Sequence, residues 1–426
     1  MIMPVLHEGD MLAVLPTLAA NSIQAVVCDP PYHLSSIVQR FGADGAAPAQ
    51  HGTDGLYARA SRGFMGKTWD GGDIAFRPET WREVYRVMAP GAYLVAFGGT
   101  RTFHRLAVAI EDAGFELRDT LMWITAKGFP KSHDASKAID KMLGAERARG
   151  AALPTIGLNK TRVEQGYRPH EVAHSFESGP PVTPEAAAWA GWGSALKPAV
   201  EPIILARKPL EGTIAANLLA HGCGALNIDG CRVPLPEGDR LHDGVQHDNA
   251  QLDTQGQGWG FRAVDRAPGL GRWPANVLHD GSDEVEAAFA AFGTKTSGKG
   301  AVKRASGAGY QPNALGQESR AAGTEMISYG DSGSPSRFFY SGKATAADRA
   351  GSHHPTCKPI ALMRWLVRLV TPPGGTVLDP FAGSGTTGAA AMAENRACVL
   401  IEQDPQYCQD IRERFRRDNP LFSGKE

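Results

Sequence analysis

A short turn, Asp29-Pro30-Pro31-Tyr32, brings together a carboxylate, a backbone carbonyl and an aromatic ring. Two β-branched valines precede it and are typical of a buried strand. Because proline lacks an N–H and fixes φ, the strand must end there, which leaves Asp29 at its carboxyl end. The carboxylate and the Pro30 carbonyl can accept both hydrogens of an exocyclic NH2 group while the Tyr32 ring stacks on its flat face. The alternative is a purely structural turn, and a second motif is needed to decide between them.

That second motif is a glycine loop far downstream, at Phe381-x-Gly383-x-Gly385. It follows an apolar run that predicts a strand and precedes a predicted helix, so backbone can approach a ligand closely there. The next predicted strand ends in Glu402, where a carboxylate is positioned to bind a ribose hydroxyl pair. The pattern predicts an adenosine-containing ligand, with NAD still an alternative. No lysine is spaced for triphosphate binding, so a nucleotide triphosphatase is not indicated.

The elements around both motifs alternate between strand and helix. Residues 5–8 predict a strand, Asp10 can cap a helix over residues 11–18, and residues 25–28 predict the next strand. Strand–helix–strand order indicates a parallel sheet, and ligands bind across the carboxyl ends of such strands. Residues 360–370 predict an amphipathic helix that leads into the glycine-loop strand. The sequence therefore predicts an α/β protein.

Composition limits the possible classes of protein. With 426 residues, 42% of them apolar and 21% charged, the chain is globular and long enough for an insertion or a second domain. Its net charge of −1 provides no global attraction for nucleic acid, so any such attraction must be local. The six cysteines form no C-x-x-C pair, and we expect neither a disulfide scaffold nor a metal site. Without a signal peptide or a long apolar run, we expect a cytoplasmic protein that does not enter the membrane.

The middle of the chain, residues 127–350, is rich in Gly, Pro, Ser and Asn and only weakly periodic. Residues 127–170 hold nine Lys/Arg against four Asp/Glu, and residues 295–349 hold eight against four. Such stretches suit a surface that follows a phosphate backbone, although an ordinary solvated face is the alternative. We therefore divide the chain into two terminal segments, residues 1–126 and 351–426, and a central insertion between them.

Three motifs together resemble a DNA amino-methyltransferase of the permuted, or β, class, of a phage or prophage type. They are Asp29-Pro30-Pro31-Tyr32, His354-Pro355-Thr356-x-Lys358-Pro359 and Phe381-x-Gly383-x-Gly385. The order, with the Asp-Pro-Pro-Tyr turn first and the glycine loop last, is the distinguishing feature of that class. The resemblance implies a Rossmann-like, circularly permuted sheet of seven mostly parallel strands. It also implies a large target-recognition insertion, which here falls on residues 127–350.

The same resemblance implies S-adenosyl-L-methionine as the cofactor. Asp10 is then expected at the adenine amino group, Glu402 at the ribose hydroxyls, and Thr356 and Lys358 at the methionine carboxylate. The full implied cofactor-binding set is Asp10, Thr356, Lys358, Asp379, Phe381, Gly383, Ser384, Gly385 and Glu402. The implied catalytic residues are Asp29, Pro30, Pro31 and Tyr32.

The implied reaction is methyl transfer to adenine N6 of a base flipped out of double-stranded DNA. Asp29 and the Pro30 carbonyl would accept both N–H bonds of the amine, and Tyr32 would stack on the base. N4-cytosine is the alternative target; a protein glutamine methyltransferase and a non-catalytic DNA-binding protein are more remote ones. The resemblance suggests a nucleoid-associated enzyme of restriction–modification type, without a nuclease motif, and leaves a homodimer open.

Overall fold

The computed structural model describes residues 2–32, 73–126, 128, 132–148, 179–235, 271–296, 332–342, 345–352, 354 and 356–418. Pro355 of the second resemblance motif lies outside these ranges, as do most residues of the basic stretches. The chain forms two compact units, one of residues 1–126 with 200–426 and one of residues 127–199. No helix within the described ranges has the length and apolar character needed to cross a membrane.

The larger unit is built on a nine-stranded sheet of order β1-β11-β10-β2-β3-β5-β4-β6-β9. Its strands are β1 (Val5–Glu8), β2 (Ile23–Cys28), β3 (Met88–Phe97), β4 (Glu116–Ile124), β5 (Val200–Arg207), β6 (Val277–His279), β9 (Tyr340–Ser341), β10 (Thr376–Asp379) and β11 (Ala397–Glu402). Strand β5 runs antiparallel to β3 and β4, and the other neighbours pair in parallel. A separate two-stranded antiparallel sheet joins β7 (Lys295–Thr296) to β8 (Ser332–Gly333).

The predicted number of seven strands is wrong, because β6 and β9 extend the sheet beyond β4. These strands are three and two residues long. Segments that short show too few alternations of apolar and polar residues to be recognised as strands in a loop-rich sequence.

Ten helices lie within the described ranges: α1 (Met11–Val14), α2 (Pro78–Val87), α3 (Phe103–Asp112), α4 (Ala135–Met142), α5 (Pro184–Ala188), α6 (Ile214–His221), α7 (Asp283–Ala290), α8 (Ile360–Val370), α9 (Thr386–Ala393) and α10 (Pro405–Asp418). The prediction for α8 is confirmed. Helix α1 ends earlier than predicted and continues as a 3₁₀ turn over Leu15–Thr17. Pro16 explains the change, because proline cannot donate the hydrogen bond that would continue an α-helix.

Alternate side chains of the buried strands face opposite helical layers. Val27 of β2 packs in a core that includes Trp365 of α8, and Val26 packs in a second core that includes Trp81 of α2. Helices α9 and α10 complete the first layer, and α3 completes the second. Because both faces are covered, the strands carry the nearly continuous apolar runs that a buried parallel sheet requires.

The structure divides residues 127–350 differently from the prediction, which treated them as one insertion. Residues 200–207 form β5 in the middle of the main sheet, so the separate compact unit ends at residue 199. The apolar content of β5 explains its position, since six of its residues are buried. Within the smaller unit, Asp140 pairs with Arg147 at 2.6 Å in a buried ion pair.

Candidate active site

The Asp29 turn projects from the carboxyl end of β2. Pro30 and Pro31 are buried, whereas Asp29 and Tyr32 are partly exposed. The Tyr32 hydroxyl donates to Asp29 Oδ1 at 2.9 Å, and the Thr102 hydroxyl donates to the Tyr32 carbonyl at 2.9 Å. These bonds hold the carboxylate and the aromatic ring in a fixed relation at the rim of the sheet.

Lys358, predicted to face a cofactor carboxylate, contacts protein carboxylates in this structure. Its Nζ lies 2.6 Å from Asp29 Oδ2, 3.1 Å from Glu201 Oε2 and 3.2 Å from the Tyr32 hydroxyl. It also lies 4.7 Å from the centre of the Phe97 ring. Burial lowers the pKa of Lys358, but the Asp29 and Glu201 carboxylates outweigh burial and raise that pKa, so the ammonium stays charged.

Glu201 is a member of this cluster that the sequence reasoning missed. It is the second residue of β5, and because β5 runs antiparallel, its amino-terminal end lies where the parallel strands end. Glu201 Oε2 lies 3.2 Å from the Tyr32 hydroxyl, so it competes with Asp29 Oδ1 for the single hydroxyl proton. Burial, then Asp29 and Glu201, raise the pKa of Tyr32 well above its usual value, so the phenol remains a donor. The available sequence signal, an acid at the start of an apolar run, is weak.

The glycine loop connects β10, the strand next to β2, to helix α9. Gly383 and Gly385 have φ values of +51° and +73°, in the left-handed region that favours glycine. A Cβ on Gly385 would lie 2.9 Å from Ile411 Cγ1. Glu402 stabilises the loop, because its Oε2 accepts from the Gly383 N–H at 2.7 Å and its Oε1 from the Asp404 N–H at 2.8 Å.

Asp379 is buried at the base of the same loop. It accepts from the Phe381 N–H at 3.0 Å and from the Thr387 hydroxyl at 2.5 Å. Burial, only partly offset by these bonds, raises the pKa of Asp379 to about 7. Burial also raises the pKa of Glu402. Asp379 and Glu402 therefore both support the glycine loop in surroundings that disfavour their charged forms.

The remaining predicted residues make local contacts. Asp10 is exposed and caps α1 by accepting from the Leu12 N–H at 2.7 Å. Thr356 is exposed, with its hydroxyl 3.3 Å from His354 Nδ1. Ser384 is buried, and its hydroxyl lies 2.8 Å from the Thr386 hydroxyl.

The Asp29 turn and the glycine loop lie side by side, because β2 and β10 are adjacent parallel strands. The hydroxyl of Thr387 on α9 lies 3.5 Å from the Val27 carbonyl, which links α9 to β2. The Asp29 carboxylate and the glycine loop thus share the carboxyl end of the sheet. No group of His, Cys, Asp and Glu side chains suited to a metal ion occurs in the described part of the chain.

The raised pKa of Asp379 predicts a pH dependence of stability. The folded protein retains a proton that the unfolded chain releases above about pH 4, so this group makes folding less favourable as pH rises to about 7 and adds no further change above that. Asp379→Asn removes this contribution. We therefore expect the Tm of the wild type to fall relative to that of the variant across this window. Thermal unfolding of both proteins checks this, and a constant Tm difference would contradict it.

Comparison with known proteins identifies the family. Residues 23–413 match the N6/N4 family model described as DNA methylase. Type II methyltransferase M.HindIII of Haemophilus influenzae is 24% identical over 419 residues, which cover 94% of this chain and 91% of the relative. DNA adenine methyltransferase YhdJ of Escherichia coli is 49% identical over 55 residues, which cover 13% of this chain and 19% of the relative.

Solved structures of methyltransferases also align with the chain. The M1.HpyAVI–SAM complex aligns over 97% of this chain and 100% of that chain, with 13% identity and a TM-score of 0.37. The cytosine-N4-specific PvuII DNA methyltransferase aligns over 97% and 86%, with 13% identity and a TM-score of 0.41. The family model covers far more than half of the sequence and includes both the Asp29 turn and the glycine loop. The chain belongs to the N6/N4 family of DNA methylases.

Proposed function

We propose that this DNA methylase transfers a methyl group to N6 of an adenine flipped out of duplex DNA. The observation that carries the proposal is the Asp29 carboxylate, held by Lys358 and Tyr32 at the edge of the sheet beside the glycine loop. Because Asp29 precedes the glycine loop in the chain, the motif order supports the permuted class. The amine of the base is the nucleophile, so the reaction requires none from the protein.

S-adenosyl-L-methionine is the methyl donor, and it supplies a methyl group already activated on a positively charged sulfur. The glycine loop fits this cofactor, because Gly383 and Gly385 at positive φ let the backbone turn tightly out of β10 with no Cβ on the loop. Glu402 binds two backbone N–H groups, yet a carboxylate accepts up to about four hydrogen bonds and retains capacity for ribose hydroxyls. Asp10 has similar capacity for the adenine amino group. Phe381, Ser384 and Asp379 shape the loop, and Thr356 stays the proposed contact for the methionine carboxylate.

Lys358 has a different role in this proposal from the one that the resemblance implied. Its ammonium holds the Asp29 carboxylate from one side, while the Tyr32 hydroxyl holds it from the other. With Asp29 fixed, its oxygens and the Pro30 carbonyl can accept the two amine hydrogens. This frees the nitrogen lone pair and stabilises the positive charge that develops on nitrogen. As the bond to nitrogen forms, the methyl–sulfur bond breaks, and the methylated nitrogen then loses one proton to solvent. The step depends on positioning and needs no strong general base.

Recognition of DNA is assigned to residues outside the catalytic turn. The compact unit of residues 127–199 and the described segments between β5 and α8 fall within the predicted target-recognition insertion. The local excess of lysine and arginine in that part of the sequence supports contact with a phosphate backbone. Tyr32 is the proposed stacking partner of the extruded base, a contact worth about 1–3 kcal/mol.

The identity of the target base can be determined from the methylated product. The resemblance to the family associates an Asp at position 29 with adenine as the target base. A carboxylate also stabilises developing positive charge well. The same mechanism nevertheless serves cytosine N4. We expect N6-methyladenine in unmethylated DNA after incubation with the protein and S-adenosyl-L-methionine. Mass spectrometry of the digested nucleosides measures it, with Asp29→Ala protein as the control. N4-methylcytosine without N6-methyladenine would replace the proposed base and leave the proposed mechanism standing.

A further inference from the structure

We propose that Glu201 is a positioning residue for methyl transfer, acting through Lys358 and Tyr32. This inference rests on the proposed function. One oxygen of Glu201, Oε2, lies 3.1 Å from Lys358 Nζ and 3.2 Å from the Tyr32 hydroxyl. Both of those groups also bind Asp29, on opposite carboxylate oxygens. Glu201 therefore closes a ring of four side chains around the group that receives the substrate amine.

The position of Glu201 is set by the sheet. Glu201 pairs with Trp123 in the register of β5 against β4. The next residue, Pro202, accepts from the Gly98 N–H at 2.9 Å just beyond the end of β3. Because its backbone belongs to the central sheet, the Glu201 carboxylate is held more firmly than a loop residue would be.

The charges of the ring explain why a second carboxylate is useful. Lys358 is a charged ammonium and Tyr32 is a neutral donor, so the ring holds one positive and two negative charges. If Asp29 alone faced Lys358, the ammonium would cancel its charge. With Glu201 sharing the ammonium, the ring keeps a net negative charge next to the nitrogen that becomes positive during transfer.

The exposed fractions of the three charged side chains are consistent with an ammonium that two carboxylates share. The Lys358 side chain is 10% exposed, while the Asp29 and Glu201 side chains are 26% and 30% exposed. The cation is thus the most enclosed member, and both acids reach the edge of the site where a substrate amine would arrive. Water screens such a cluster only in part, so loss of one charge changes the field at the other groups.

The test compares variants of the full-length protein in single-turnover methyl transfer. The probe is genomic DNA from a strain without DNA methyltransferases, together with tritiated S-adenosyl-L-methionine. Glu201→Gln keeps the acceptor for Tyr32 but removes the charge, and Glu201→Ala removes both. We expect the rate to fall about 10-fold for glutamine and up to about 100-fold for alanine, below the loss expected for a direct group. Cofactor affinity measured by calorimetry should be unchanged.

Glu211→Gln is the matched control, because Glu211 is an exposed glutamate of the same unit that pairs with His221 outside the site. A general effect of replacing a glutamate would appear there too. Circular dichroism and thermal unfolding show whether each variant is folded. Glu201→Asp is the second variant. Aspartate keeps the negative charge, but its shorter side chain places the carboxylate farther from Lys358 and Tyr32. Its rate should therefore lie between those of the wild type and Glu201→Ala.

A double substitution separates positioning from a merely structural role. In the Lys358→Met background the two carboxylates have no ammonium to share, so adding Glu201→Gln should cost less rate than it does when Lys358 is present. An unchanged rate for Glu201→Gln, a loss explained by weaker cofactor binding, or equal losses in both backgrounds would each overturn the inference. Absence of transfer by the wild type would instead refute the proposed function, which distinguishes the two failures.

Discussion

Asp29→Ala is expected to reduce methyl transfer by roughly 10²–10³-fold, the cost of removing one group that stabilises charge in a transition state. Asp29 is the acceptor at which the amine nitrogen is proposed to become positive, and no other carboxylate takes its position at the end of β2. The variant should fold, because Asp29 is partly exposed at the rim and the Thr102 hydroxyl still holds the Tyr32 carbonyl. Lys358 keeps Glu201 as a partner, so the ammonium is not left uncompensated.

The measurement is initial-rate transfer of tritiated methyl groups to unmethylated DNA, with cofactor affinity determined by calorimetry on the same samples. Asp29→Asn is the matched control, because it keeps an oxygen acceptor of similar size and removes the negative charge. Its rate should lie between those of the alanine variant and the wild type. An alanine variant that kept more than about a tenth of the wild-type rate would contradict the electrostatic role of Asp29.

Gly385→Val is expected to abolish measurable binding of S-adenosyl-L-methionine. The position has φ of +73°, which a β-branched residue adopts only with strain, and its Cβ would lie 2.9 Å from Ile411 Cγ1. The collision pushes the loop away from α10. The displaced loop includes the Gly383 N–H that Glu402 binds, so the proposed ribose site is lost together with the close approach of backbone.

Gly374→Val separates this effect from the general cost of placing valine at a positive φ. Gly374 has φ of +77°, but a Cβ there meets no atom within 4 Å. Both variants should lose stability, and Gly385→Val alone should lose cofactor affinity in calorimetry. Equal affinity in the two folded variants would remove the glycine loop from the proposed cofactor site.

The ends of β2 and β10, where the site residues lie, were predictable because each end has a clear local signal in the sequence. Proline after Asp29 marks the end of β2, and the alternating glycines after Asp379 mark the turn into α9. The α/β class followed from the alternation of strands and helices. These signals depend on backbone chemistry that acts over a few residues, and such chemistry is visible in a sequence.

The partners of Lys358 and the presence of Glu201 were not predictable in the same way. The position of Glu201 depends on β5 entering the sheet between β3 and β4 in the antiparallel direction, which no local pattern specifies. The resemblance assigned Lys358 to the methionine carboxylate of the cofactor, with which an ammonium forms a charge-assisted hydrogen bond. The structure instead brings its ammonium across to the end of β2. Contacts between residues far apart in sequence decide such details.

The strand order also bears on how the protein is made. Strands β10 and β11 lie between β1 and β2, so neighbours in the sheet come from opposite ends of the chain. A ribosome releases β1 and β2 long before their partners, and the nascent chain exposes unpaired strand edges during that interval. Contacts of such high sequence separation make folding slow. Asp29 meets Lys358 only after 329 further residues have been added, so a partly synthesised chain cannot assemble the catalytic ring.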